Sequence, residues 1–313
     1  MTITSAWLRD VKIHGLIPIP WIITKMTKRY GIGQMTRPRK DILKGECMIG
    51  IDMTNKAYRD HEGVSRSDLN VLLTKSPMHF KYSQENPRED TPAFLEGRAA
   101  HKIVLEPDKF TDEFAVAPIC DRRTKEGKAV YAEFVEQSQG KDILTDEIYS
   151  KVSEMAEALK QNEMAVRFLT GEHEKSFFWT DADTNEVCKV RPDCLAEVDG
   201  QKYIVDYKTT DSCADGAFER SVRKYGYKFQ AGMYREGVFQ NTFEDYKFAF
   251  VAQEKTAPYA SRVYICDEDF VREGYEQFRE AIGIYHWCKE HDNWYGYEGP
   301  ENIITMLNGE GEI

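Results

Sequence analysis

Two carboxylates and an amine stand out in the stretch Lys189–Thr210, KVRPDCLAEVDGQKYIVDYKTT. Asp193 follows Pro192, Asp206 comes near the end of a second apolar run, and Lys208 stands two places beyond Asp206. In an extended strand, residues two apart share a face, so Asp206 and Lys208 point the same way. Tyr207 points opposite, and its backbone carbonyl stays available to a metal. Asp199-Gly200, between the two runs, is a strong hairpin signal, and pairing around it makes Asp193 and Asp206 near cross-strand neighbours. Two close carboxylates repel unless a cation lies between them, and hard oxygen donors suit Mg²⁺ or Mn²⁺. Such an ion lowers the pKa of water and polarises a phosphate. Lys208 is placed to orient that water and to offset charge developing in the transition state.

The elements that must deliver these groups follow from caps and periodicity. Ser65 with Asp68 is a capping-box signature for a helix carrying Leu69, Leu72 and Leu73, and Ser76-Pro77 opens the next helix. Two helix N-termini so close, with Lys75 beside them, make Ser65, Ser67, Lys75 and Ser76 candidate phosphate contacts; plain capping is the other role open to the serines. Thr91-Pro92 opens a helix that Pro107 closes. Phe94, Gly97, His101, Val104 and Leu105 share its inward face, so His101 is either a core residue or a ligand. A short strand around FAVAP leads into a polar segment with Arg122, Arg123, Lys125 and Lys128, read as a solvated loop able to touch a phosphate backbone. One long helix is predicted from Thr145 to Leu169, with Gly171 near its stop. A strand beginning at Glu174, an acidic turn and a second strand then lead to Asp193, and Glu174 is a candidate to face the same metal. Beyond Lys208, ADGAFERSVRKYGYKFQAGMYREGVF reads as helical, with Gln230 and Tyr234 one turn apart on one face. The strands YKFAFVAQEK and SRVYICD follow, and then a helix from about Glu268 to Glu290.

With 313 residues, 41% hydrophobic and 12% aromatic, the chain is long and apolar enough for a substantial core. It contains no run of about 18 apolar residues, so no membrane span is expected, and the composition is that of a soluble globular protein, with a cytoplasmic one expected from its cysteines. Its seven cysteines form no C-x-x-C pair and no zinc spacing, which fits reduced thiols and argues against an iron–sulfur cluster. A net charge of −11 argues against coating nucleic acid through general basicity. It leaves room for an enzyme that is positive only along a substrate track. Residues 1–47 carry nine Lys or Arg against three acids, leaving the remainder at −17. They read as a basic, poorly ordered extension ahead of a functional domain over 48–313, with Met48 as an alternative start.

Glu174, Val190-Arg191-Pro192-Asp193, Asp206-Tyr207-Lys208 and Gln230-x-x-x-Tyr234, with Gly97-Arg98-Ala99-Ala100-His101 upstream, resemble the PD-(D/E)xK nuclease superfamily. Within it the chain is most similar to the nuclease domain of RecE, exonuclease VIII, and its phage-encoded relatives. SRSDLNVLLTKSPMHFKY and GRAAHKIVLEP resemble that family's opening blocks, and the similarity runs from about Met48 to Glu290. The resemblance implies an α/β, restriction-endonuclease-like core, a central mixed sheet flanked by helices, assembled as a ring-like homotetramer. It implies Mg²⁺-dependent 5′→3′ digestion of linear double-stranded DNA, leaving 3′ overhangs for recombination with a RecT-like single-strand annealing partner. By the match, His101, Asp193, Asp206 and the Tyr207 carbonyl bind metal, Glu174 supports them, Lys208 is the catalytic lysine, and Gln230 and Tyr234 line the site. Arg191 joins the candidate DNA- and phosphate-binding set. A PD-(D/E)xK endonuclease or repair nuclease, and a catalytically silent module that binds DNA ends, are the alternative readings.

Overall fold

A computed structural model describes residues 50–86 and 90–297. The expected basic extension over 1–47 lies outside the described residues. In chain order the helices and strands are α1 (Asn55–Asp60), α2 (Arg66–Thr74), α3 (Pro77–Glu85), α4 (Pro92–Leu105), α5 (Phe110–Glu113), β1 (Phe114–Val116), α6 (Lys125–Gln137), β2 (Asp142–Leu144), α7 (Asp146–Lys160), α8 (Glu163–Phe168), β3 (Gly171–His173), β4 (Phe177–Thr180), β5 (Val187–Val190), β6 (Cys194–Val198), β7 (Gln201–Thr210), α9 (Asp215–Tyr225), α10 (Tyr227–Thr242), β8 (Lys247–Glu254), β9 (Ser261–Ile265) and α11 (Glu268–His291). No described helix is long and apolar enough to cross a membrane.

The central sheet has the order β3-β6-β7-β8-β9 and is mixed: β7 and β8 run parallel, the other neighbouring pairs antiparallel. The parallel pair needs a crossover, which α9 and α10 provide. Asp199 and Gly200 both adopt positive φ, 53° and 77°, as a two-residue turn between antiparallel strands requires. One face of the sheet, through Ile204, Phe248 and Phe250, packs on α10, α11 and the β4–β5 hairpin. The other, through Tyr203, Val205, Tyr207, Ala249 and Val251, packs on Leu105 at the end of α4 and on Phe168 of α8. Helices therefore cover both faces of the sheet. Helix α10 is buried almost all round, and it crosses α11 at Gly232 and Gly274, where an added Cβ would collide with the Tyr275 backbone or the Lys228 carbonyl. That contact fixes the helix carrying Gln230 and Tyr234.

Several boundaries differ from the sequence expectation. The segment expected as a basic loop contains α6, capped by the Thr124 hydroxyl accepting from the Gly127 amide. Only Gly127 of α6 is buried, so little core periodicity announces it. The predicted helix from Thr145 to Leu169 is two, because the Asn162 side chain caps a new start by accepting from the Ala165 amide. Gly171, expected near a helix stop, begins β3. The segment after Lys208 likewise breaks into α9 and α10 at Gly226, whose φ of 65° ends the first helix. Glu174 does not begin a strand. It lies between β3 and β4 with φ 55°, a conformation uncommon for a residue with a side chain.

Candidate active site

Strand β6 begins at Cys194, opposite Val205 of β7, so the register carries Asp193 to the level of Asp206. Beyond that point β7 pairs with β8 alone. Its other edge faces Asp193, and the backbone N–H and C=O of Tyr207 both leave the strand on that side. The N–H donates to Asp193 Oδ2 at 2.7 Å, and the carbonyl lies beside the His101 imidazole. Helix α4 brings His101 against the Tyr207 ring, with centroids 5.0 Å apart. His101 Nδ1 lies 3.6 Å from Asp193 Oδ2.

One donor atom from each of His101, Glu174 and Asp193 lies within 4.8 Å of the other two. The unusual backbone at Glu174 is held from two sides. Its N–H donates to the Asp193 carbonyl at 3.1 Å, and Arg191 Nε donates to the Glu174 carbonyl at 3.0 Å while pairing with Oε2 at 2.6 Å. Strain of this kind persists only where its surroundings over-determine it, and it clusters at functional sites.

Asp206 turns to the opposite face, as strand alternation demands. Its Oδ1 accepts from Gln230 Nε2. Its Oδ2, fully buried, meets the Lys208 ammonium as an ion pair without an aligned hydrogen bond. The same ammonium lies 5.1 Å from the centre of the Tyr227 ring, at the start of α10. Behind β7 the Tyr207 hydroxyl donates to Gln253 Oε1 at 2.5 Å, and Gln253 Nε2 donates to the Met155 and Tyr259 carbonyls at 2.7 and 3.2 Å. This network, fully buried at Tyr207 and Gln253, locks the strand that carries Asp206, the Tyr207 backbone and Lys208.

The electrostatics are those of acids crowded together. Burial first, and then the neighbouring Asp206, push the Asp193 carboxyl well above its ordinary range. Burial and then Asp193 raise Glu174 to about 7. Burial, followed by the Lys208 ammonium, holds His101 below the usual imidazole value, so the ring is neutral near pH 7, the form that ligates metal. Two raised acids, Glu174 and Asp193, and one neutral imidazole, with the Tyr207 carbonyl beside them, form a donor set suited to a hard divalent cation; Asp206, expected to join it, turns instead to Gln230 and Lys208.

The remaining sequence candidates are distributed more widely. Gln230 is buried on Asp206, and Tyr234 one turn later lies within electrostatic reach of Asp193 and Asp206, with burial raising its phenol far above the ordinary value. Ser65 is the N-cap of α2 in a complete capping box with Asp68, and Ser67 is exposed in the first turn. Ser76 caps α3 at the far end of α2, about 13 Å along the axis, and its hydroxyl bonds His79 Nδ1 at 2.7 Å. Lys75 beside it is exposed. One phosphate therefore cannot touch both serines. Arg191 is nine-tenths buried, with Nη1 left without a hydrogen-bond partner.

Two wall residues escaped sequence reasoning. Arg66, just after the Ser65 cap, donates to the Tyr225 and Gly226 carbonyls and lies within electrostatic reach of Asp206 and Tyr234. Tyr58 of α1 lies 5.8 Å from the Arg191 guanidinium. The cap pattern could have flagged Arg66; nothing local flags Tyr58.

A mixed sheet flanked by helices, with Asp193 and Asp-x-Lys at the diverging end of two central strands, defines a PD-(D/E)xK-like domain. The chain belongs to the family described as "PDDEXK-like domain of unknown function (DUF3799)", whose model matches residues 67–304. A crystal structure from Eubacterium rectale, described as a "Putative exonuclease", is similar with a TM-score of 0.55 at 16% identity, covering 79% of this chain and 89% of that one. The structure of SSO0001 aligns at 14% identity over 71% of this chain and 76% of its own, with a TM-score of only 0.31. No curated protein matches the sequence.

Proposed function

We propose that this domain is a Mg²⁺-dependent 5′→3′ exodeoxyribonuclease that digests linear double-stranded DNA and leaves 3′ overhangs. The observation that carries the reading is the convergence of His101, Glu174 and Asp193 beside the Asp206–Lys208 pair, in a chain of PD-(D/E)xK-like family. The exonuclease description of the Eubacterium rectale neighbour supports the reading. His101, Asp193 and the Tyr207 carbonyl would hold the cation, with Asp206 beside them; Glu174, expected from the resemblance as outer support, is close enough to be a direct ligand. Mn²⁺ suits the same donors. When bound, the cation supplies Lewis-acid charge to the phosphate and acidifies water.

The chain's own residues do the rest. Gln230 holds one oxygen of Asp206, keeping the other toward the Lys208 ammonium. Lys208 orients the attacking water and offsets charge growing on the phosphoryl oxygens. A bond forms from the water oxygen to phosphorus, the bond from phosphorus to O3′ breaks, and 5′-mononucleotides leave. Arg191, clamped on Glu174, contributes positive charge behind the site that favours an anionic phosphate backbone. Ser65 and Ser67, at the N-terminus of α2, take a second phosphate, and Lys75 meets the DNA farther along, whereas Ser76, 2% exposed and bonded to His79, serves as a cap and is not among the phosphate contacts. Tyr234 lines the pocket. The sequence resemblance alone supports a ring-like homotetramer, a RecT-like annealing partner and a phage or prophage recombination role, and the unpatterned cysteines support action in the cytoplasm.

Digestion of linear duplex labelled separately at each 5′ and 3′ end, with and without Mg²⁺, tests chemistry, polarity and metal need together. Early loss of the 5′ label is expected, only with the metal. Cleavage of a covalently closed circle would instead indicate an endonuclease, and metal-independent binding without cleavage a silent end-binding module.

A further inference from the structure

Gly97 occupies the middle of α4, one turn before His101, where a glycine costs helix stability relative to alanine. Four other helical glycines are explained by packing. A Cβ at Gly127, Gly232, Gly237 or Gly274 would run into backbone or a buried ring. A Cβ at Gly97 would meet nothing within 4 Å among the described residues. At Gly216 a Cβ would meet only the tip of the Arg220 side chain at 3.7 Å, but this glycine lies in the first turn of α9, where the cost is small.

The space at Gly97 is kept clear by its neighbours. Glu96 is tied to Lys151 at 2.7 Å, and Arg98 is drawn away to Asp90 and Asp142 at 2.6 and 2.7 Å. Helical side chains lean toward the N-terminus, so the His101 imidazole leans over the turn that Gly97 leaves bare. Among the described residues the result is an open strip of backbone beside the imidazole whose Nδ1 faces Asp193. An unfilled, unfavourable glycine beside a reactive centre marks a place where another backbone approaches closely.

We propose that this bare turn of α4 seats the sugar–phosphate backbone of the strand being cut, next to the scissile phosphate. The inference rests on the nuclease reading for its choice of ligand, and it assigns Gly97 to substrate positioning. The fold itself gains nothing from glycine there.

The test uses the full chain with Gly97→Ala and Gly97→Leu, both good helix formers. Melting in chelator should rise by about 2–4 °C for Gly97→Ala, because alanine stabilises the helix. Mn²⁺ affinity, measured by titration calorimetry, should stay at the wild-type value. Affinity for a linear duplex, measured by fluorescence anisotropy with Ca²⁺ in place of Mg²⁺, should fall by about tenfold for Ala and further for Leu, the scale of one lost charged hydrogen bond. Unchanged DNA affinity in both variants overturns the proposal, as does a fall in Mn²⁺ affinity that accounts for the DNA effect. This readout is binding, so it is decided whether or not the wild type cleaves; absence of Mg²⁺-dependent cleavage in the wild type overturns the nuclease reading separately.

Discussion

Replacing Glu174 with Gln should make the metal-free protein more stable at about pH 8 while leaving it almost unchanged near pH 4.5. Glu174 is crowded by burial and by Asp193, and its carboxyl is raised from 4.5 to about 7. A carboxyl raised in the folded state binds its proton more tightly there than in the unfolded chain. That advantage is complete below 4.5 and disappears as pH rises through about 7. At about 1.4 kcal/mol per pH unit the interval is worth about 3 kcal/mol, which solvent contact at a side chain 23% exposed trims to about 2–3 kcal/mol. The contact with Arg191 Nε acts in the opposite sense and is already contained in that position of the pKa. Gln cannot ionise, so the wild type should lose this amount relative to Glu174→Gln between about pH 4.5 and 8. Urea unfolding of both proteins in chelator measures the difference, in which the many unrelated titrations cancel. Mn²⁺ at about 1,000 times Kd and about pH 8 should reverse the order, since a ligand bound by the folded wild type and not by the variant then adds about 4.1 kcal/mol. Parallel stability curves across this range would refute the claim that Glu174 is an acid held among acids.

Lys208→Ala should abolish Mg²⁺-dependent nucleotide release while duplex binding is retained, a separation seen by pairing a cleavage assay with anisotropy. Asp193→Ala and Asp206→Ala should each remove cleavage with little loss of folding, because deleting one crowded acid relieves repulsion in the metal-free state; thermal melts and digestion of linear duplex check the two halves, and normal activity in either variant overturns the assignment. Gln253→Leu should destabilise the fold by about 1–3 kcal/mol, since it strands the buried Tyr207 hydroxyl. It should also weaken Mn²⁺ binding by loosening β7, and calorimetry showing wild-type affinity in the folded variant would remove Gln253 from any positioning role.

Much of the chain was legible because its signals are local. Strand alternation put Asp206 and Lys208 on one face, the Asp199-Gly200 turn set the register that brings Asp193 level with Asp206, and Ser65, Ser76 and Thr91 marked helix starts by the bonds their own side chains make. Breaks inside long helical stretches were less legible. Asn162 and Gly226 end one helix and start another through a single cap or a single positive φ, without interrupting the run of helix-forming residues around them. What only the tertiary structure decided is which acid stands with which partner. Glu174 reaches His101 and Asp193 because a left-handed residue outside any strand is clamped by Arg191, while Asp206 is drawn to Lys208 and Gln230 across the sheet. Those choices, like the open turn at Gly97 and the Gln253 anchor behind β7, depend on groups that meet from α4, α10 and distant strands. Spacing along a chain specifies direction within one element; distance between elements is set by how their buried faces pack.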